Sequence, residues 1–243
     1  MDDIGSLISR ALKEVGSRPT GAVKASEKKR YSELVSQRLA EAFAEELRRR
    51  GMDSARPDPH GETPGSGAER RMSGGIGAKK VDVTWATEAS GLLVGISIKS
   101  INFADGRTGN YQKNLTNRRG DMLFEAVTLH RRFPYAVLGG FFLFDEGASR
   151  DDTSTRQSTF LNAHDRLRLF TGRDDPAGRD EQYERLYIGL IRTEPQLLGI
   201  DLYLAGEPDE PVPFEAAFDE LVSLVAERDP DFYRAVGGRV ERV

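Results

Sequence analysis

GGIGAKKVDVTWATEASGLLVGISIKS, Gly74 to Ser100, is the stretch on which the reading of this chain turns. Lys80–Ala86 and Leu92–Lys99 read as two strands joined through Glu88-Ala89-Ser90-Gly91. Side chains alternate across a strand. Val81, Val83 and Trp85 therefore share one face of the first strand, with Asp82 and Thr84 on the other. In the second strand Leu92, Val94, Ile96 and Ile98 oppose Gly95, Ser97 and Lys99. If Thr87 faces Leu92, the register sets Asp82 opposite Ser97 and Lys80 opposite Lys99. Opposed residues lie about 5 Å apart, so Asp82, Ser97 and Lys99 form one polar cluster on an otherwise apolar hairpin. Burying such a cluster is costly unless it is paired or used.

Outward from the hairpin the chain alternates helical and extended segments. Ile4, Leu7, Ile8, Leu12 and Val15 fall on one face of a short helix that Asp2 or Asp3 can cap, and residues 1–25 read as an N-terminal helical arm. Residues 26–243 read as a single domain. Its first helix spans Glu27 to Arg50, with Tyr31, Leu34, Val35, Leu39, Phe43 and Leu47 at helical spacing and Gly51 as a stop. Glu46 falls inside that apolar stripe and Glu41 at its margin. The Gly- and Pro-rich segment 51–77 reads as a long loop. Its Gly74-Gly75-x-Gly77 run is no phosphate-binding P-loop, because it lacks Gly-Lys-Ser/Thr and precedes a strand.

Beyond the hairpin, Thr116 to about Arg132 reads as a helix and Tyr135–Phe144 as a strand buried on both faces. Phe160–Phe170 fits a helix, Arg185–Ile191 and Leu197–Leu204 fit strands, and Pro213–Glu227 fits a helix. The order implies an α/β (α+β) domain in which a central mixed sheet is flanked by helices.

Composition narrows the chemistry. The 243 residues contain no cysteine, which excludes disulfides and thiolate chemistry. Three separated histidines (His60, His130 and His164) argue against a multi-histidine metal site. No apolar run approaches the roughly 18 residues of a membrane span, and the acidic start does not resemble a signal peptide, so a cytoplasmic location is expected. The net charge of -4 hides a basic middle, with Lys99, Arg107, Lys113, Arg118 and Arg119, and an acidic final third that includes Asp174, Glu184 and Glu215.

A carboxylate and a lysine at this spacing suit metal-assisted phosphodiester hydrolysis: the acid binds a hard divalent ion, and the lysine orients water and steadies phosphorane charge. The order helix, hairpin bearing Asp then x-x-Lys, helix, strand from about Glu27 to Phe144 resembles the PD-(D/E)XK superfamily, the restriction endonuclease-like fold. Val81-Asp82-Val83 matches its first motif, with valine where proline is common. Ser97-Ile98-Lys99 matches the second with serine in place of the glutamate. Some restriction endonucleases with Ser-x-Lys carry the missing acid on the following helix, which makes Glu125 the candidate here. The family also takes a glutamate from its first helix, matched by Glu46 or Glu41.

The resemblance implies a Mg²⁺-dependent endonuclease (Mn²⁺ substituting) on double-stranded DNA, in restriction or anti-phage defence. Asp82, Glu125, the Ile98 carbonyl and Glu46 would be its metal ligands. Lys99 would act on the attacking water, and Ser97 would be a small or water-binding residue in the catalytic motif. Lys113, Asn117, Arg118, Arg119 and Gln112, in the segment Asn110–Asp121, are candidate DNA contacts. The ordinary reading of that segment is a polar loop and a helix capped by Thr116 or Asn117. A homodimer is expected for cutting both strands, with the N-terminal helix as a patch, and further defence-system subunits are compatible. The Glu-to-Ser departure keeps open a catalytically inactive DNA-binding or assembly subunit. The acidic final third keeps open a hydrolase or scaffold unrelated to nucleic acid.

Overall fold

The computed structural model describes residues 3–59, 71–73, 78–194 and 196–243, with side chains left aside for 71–73 and 78–79. His60 and the Gly74–Gly77 run lie outside the described residues, as does most of the predicted 51–77 loop. In chain order the elements are α1 (Ile4–Val15), α2 (Ala25–Arg49), β1 (Arg71–Ser73), β2 (Ala78–Lys80), β3 (Val83–Thr87), β4 (Gly91–Ile101) and α3 (Leu115–His130). They continue as β5 (Val137–Asp145), α4 (Thr159–Leu167), β6 (Arg185–Arg192), β7 (Gly199–Leu204), α5 (Phe214–Arg228), β8 (Tyr233–Val236) and β9 (Arg239–Arg242).

Five strands form the central sheet in the order β3-β4-β5-β6-β7. β4, β5 and β6 run parallel, while β3 and β7 close the two edges antiparallel. Parallel neighbours need a crossover, which α3 supplies between β4 and β5. This is the mixed sheet flanked by helices that the residue pattern implies. One face carries α1, α2 and α5 over Ile96, Ile98, Phe141, Leu143 and Tyr187. The other carries α3 and α4 over Leu138, Phe142, Phe144, Leu186 and Ile188. β5 sits between these layers, and all nine of its residues are buried.

The hairpin keeps its expected central register by an unexpected route. Val83 pairs with Ile96, Thr84 with Gly95 and Trp85 with Val94, as counted from the sequence. The turn is shorter than counted, since Thr87 pairs with Gly91 and Ala86 with Leu92. A bulge at Leu93 restores the count. It also sends Leu92 into the α3 layer and Leu93 into the α2 layer. At the other end the strand begins at Val83, so Asp82 lies in a bend and Val81 turns into the α3 layer, away from Val83 and Trp85. Lys80 belongs to β2, whose partner across the ladder is Arg71, and does not pair with Lys99 in the sheet.

Two terminal regions differ from expectation. Asp3 caps α1 through the Ser6 amide, but the helix is no separate arm. Ile4, Leu7, Ile8, Ala11 and Leu12 are buried in the main core, so the chain itself uses the apolar face proposed as a dimer patch. The β8–β9 hairpin escapes the sequence reading, although Gly237-Gly238, both at positive φ, is the two-residue turn such hairpins favour. It seals the end of α2: the Val240 amide donates to the Arg50 carbonyl at 2.7 Å, and Trp85 meets Tyr233 edge-on. Gly51, at φ +91, abuts the Val240 carbonyl so closely that any Cβ collides with it.

Candidate functional site

Strand β4 places Ser97 and Lys99 toward α3, whose inward positions are Met122, Glu125, Ala126 and Leu129. The helix lies close because β5 offers glycine beneath it. A Cβ on Gly140 would run into the side chains of Leu186, Met122 and Tyr183. The Tyr183 hydroxyl adds a clamp, donating to the Met122 carbonyl at 3.0 Å. Glu125 is thereby carried to the strand edge where Asp82 bends in.

Three charged groups meet there. Lys99 Nζ lies 3.5 Å from Asp82 Oδ2 and 3.4 Å from Glu125 Oε2. Asp82 Oδ2 also accepts the Ile98 amide at 2.6 Å. In a strand the amide and carbonyl of one residue point to the same edge, so the Ile98 carbonyl faces the Asp82 side as well. Ser97 is buried beneath this group beside Glu125 and Tyr183, its Oγ without a full hydrogen bond among the described residues. Burial pushes the Glu125 carboxyl above its ordinary range; Lys99 opposes the shift and Asp82 adds to it. For Lys99 burial acts to lower the pKa, but the charges of Glu125 and Asp82 outweigh it and the net direction is up. The lysine is therefore held as an ammonium.

The cluster opens into a cavity of about 1110 Å³ lined by α2, the end of β4, the β4–α3 loop and the start of α3. Asn102 braces two of these walls, donating to Ser32 on α2 at 3.1 Å and to Ser100 at 2.9 Å. Charge is mixed: among the described residues six carboxylates (Glu33, Glu41, Asp82, Asp105, Asp121 and Glu125) and six cations (Lys28, Lys29, Lys80, Lys99, Lys113 and Arg118) line it. Asp82, Glu125 and Lys99 are sheltered, whereas Lys29, Lys113 and Arg118 are exposed.

The structure separates the two α2 candidates. Glu41 lines the cavity, held by Gln37 and Arg38. Glu46 does not reach it. It is buried against Arg50 at 2.6 Å, and Arg50 also binds Glu215 and Asp219 of α5. The two glutamates are five residues apart, about 140° around a helix, so they face different neighbours.

The expected DNA contacts divide as well. Lys113 and Arg118 line the cavity; Lys113 Nζ rests on Asp105 at 2.6 Å. Asn117, Arg119 and Gln112 are not among its described lining residues, and Gln112 Nε2 is buried without a hydrogen-bond partner among the described residues. Neither Thr116 nor Asn117 caps α3: the N-cap position is Asn114, without a side-chain cap bond, preceded by a single 3₁₀ turn. Sequence reasoning missed the polar stripe of α2 that forms the facing wall, with Lys28, Ser32, Ser36 and Gln37 at helical spacing. It also missed Phe103 at the end of β4.

Among the described residues no three His, Asp or Glu side chains gather as a ready-made metal cage. Mg²⁺ needs less, since it commonly binds through one or two carboxylates and keeps several waters. Asp82, Glu125 and the Ile98 carbonyl are hard oxygen donors suited to such an ion. A comparison with known protein families, curated proteins and solved structures finds no match to this chain.

Proposed function

We propose that this chain is a metal-dependent endonuclease that hydrolyses phosphodiester bonds of double-stranded DNA, built on a PD-(D/E)XK-like plan and serving restriction or anti-phage defence. The observation that carries the reading is the meeting of Asp82, Lys99 and Glu125 at a cavity that also presents exposed cations. Asp82, Glu125 and the Ile98 carbonyl would hold Mg²⁺ or Mn²⁺. When bound, such an ion polarises the phosphate and makes a coordinated water more acidic. The remaining roles fall to the chain itself. Lys99, kept charged by its two acids, orients the attacking water and offsets negative charge as the phosphorus centre gains its fifth oxygen. Lys113 and Arg118 hold flanking phosphates. Ser97 leaves room beneath the cluster and contributes no charge.

The test is cleavage of supercoiled and linear DNA in Mg²⁺, Mn²⁺ or EDTA, with Lys99→Ala and Asp82→Ala beside the native protein. Metal-dependent cutting that both variants lose is the expected result. No cutting in either metal removes the proposal for the isolated chain.

One observation favours a second reading, a catalytically inactive DNA-binding or assembly subunit. Lys99 already contacts both carboxylates, and serine stands where the family's motif has its glutamate. DNA binding that weakens with salt, without cleavage in any metal, would select this reading.

A further inference from the structure

We infer that the cavity contains a stacking subsite for one unpaired nucleobase, formed by Phe103 with Lys28 beside it. The inference rests on the nucleic-acid reading of the cavity and narrows its substrate to DNA in which a strand near the reacting phosphate is unpaired or easily frayed.

Among the described residues two aromatic rings, Phe103 and Tyr111, line the cavity. Tyr111 is buried and spends its hydroxyl on Asp145 at 2.7 Å. Phe103 is only half-buried, and so presents apolar surface to the cavity. Its position is fixed from behind: Tyr31 meets it edge-on with centroids 5.6 Å apart. Two cations lie over the ring, the Arg18 guanidinium at 5.9 Å and Lys28 Nζ at 5.4 Å from its centroid. Their circumstances differ. Arg18 is tied to Asp145 and to the Asn102 carbonyl and is part of the scaffold. Lys28 makes no ion pair among the described residues and lines the cavity. A supported ring covered by an ammonium that has no carboxylate partner among the described residues matches a nucleotide, whose base can take the π-face and whose phosphate can draw the ammonium.

The location fits the same chemistry. Phe103 follows Lys99 by four residues along or just beyond β4, so their backbones lie no more than about 13 Å apart at strand rise. An extended single strand spans that distance in about two nucleotides. A paired base cannot reach the ring, because its faces are covered by its neighbours in the duplex. The occupant is therefore a base outside the stack.

The experiment measures binding in EDTA, where cutting does not interfere, by fluorescence anisotropy of a labelled single-stranded oligonucleotide of about ten residues. One base at a time is replaced by an abasic site, and the native protein is compared with Phe103→Leu, Phe103→Trp and Lys28→Ala. The expected result is one position where base removal weakens native binding about tenfold, with no further loss in Phe103→Leu and recovery in Phe103→Trp. Phe103→Leu should leave the slope of affinity against salt unchanged, whereas Lys28→Ala should make it shallower. Thermal melts confirm that each variant is folded, and Lys28→Ala tests the subsite without touching the packing of Tyr31. If DNA is bound but every abasic position behaves alike in native and Phe103→Leu protein, the subsite is overturned and the nuclease reading stands. If no oligonucleotide or duplex binds at all, both are overturned.

Discussion

Glu125 illustrates how much a single residue depends on what surrounds it. On an isolated helix it is one more acid near Arg118 and Arg119. Packed against β4 it is buried, within reach of Lys99, and its carboxyl is shifted upward by that burial. Under the proposed function, Glu125→Gln should keep the shape of the site and lower the cleavage rate about 100-fold or more, as measured by single-turnover assays. Glu46→Gln should behave differently. It removes one of three acids around the buried Arg50, so stability should fall by about 1–3 kcal/mol in denaturant titrations while cleavage persists. The meeting of Asp82 with Lys99 is legible in the sequence through the hairpin register, although Asp82 itself lies in a bend just before the alternating residues of β3. The choice between Glu41 and Glu46 is not. A helical wheel shows which side is apolar, but not which part of that side meets a cavity and which meets α5.

At the scale of elements, the hairpin shows a prediction holding for a reason it did not contain. The turn is tighter than counted, and the Leu93 bulge compensates, so Asp82 still arrives beside Ile98 and Lys99. Bulges leave no reliable residue signature, and the compensation could not be read from composition or spacing. The approach of α3 to the sheet rests on Gly140, which the sequence shows only as one of two glycines in an apolar run. Gly140→Ala must displace Met122, Leu186 or Tyr183. It should lower stability by about 1–3 kcal/mol in equilibrium unfolding and loosen the Lys99–Glu125 contact. The facing walls of the cavity make a further expectation. Lys113→Ala and Arg118→Ala should each weaken DNA binding across sequences and reduce the salt slope by about one, as read by anisotropy titration.

For the molecule as a whole, the largest departure from the sequence reading concerns charge. Glu184 belongs by sequence to the acidic final third, yet it is fully buried just before β6. It accepts the Leu138 amide at 2.7 Å and Arg173 at 3.0 Å, with Arg228 at 3.1 Å and His130 Nε2 at 3.3 Å. Burial acts to raise its pKa, but the His130 contact, the Leu138 amide and Arg228 outweigh it and hold the carboxyl below its ordinary value. His164 is the counterpart: burial against Phe160 and Tyr203 pushes its imidazole down to about 4. In both cases the unfolded chain binds the proton more readily than the folded one, so stability falls as pH falls. The His164 contribution is complete above about 6.5 and is lost down through 4. The Glu184 contribution is lost below about 4.5 and on through its lower folded value. Melting temperatures from pH 8 to pH 4 should therefore decline, and His164→Gln should flatten the part between pH 6.5 and 4.

The seal on α2 also sets an order of events during synthesis. The Val240 amide that closes the helix end at Arg50 is made 190 residues later. At ordinary elongation rates the ribosome needs roughly 10–40 s to cover that interval. Asp82, Lys99 and Glu125 have all left the ribosome long before then. The helix that walls their cavity stays open at its far end until the β8–β9 hairpin emerges, so on the nascent chain the three charged residues precede the residues that seal that helix.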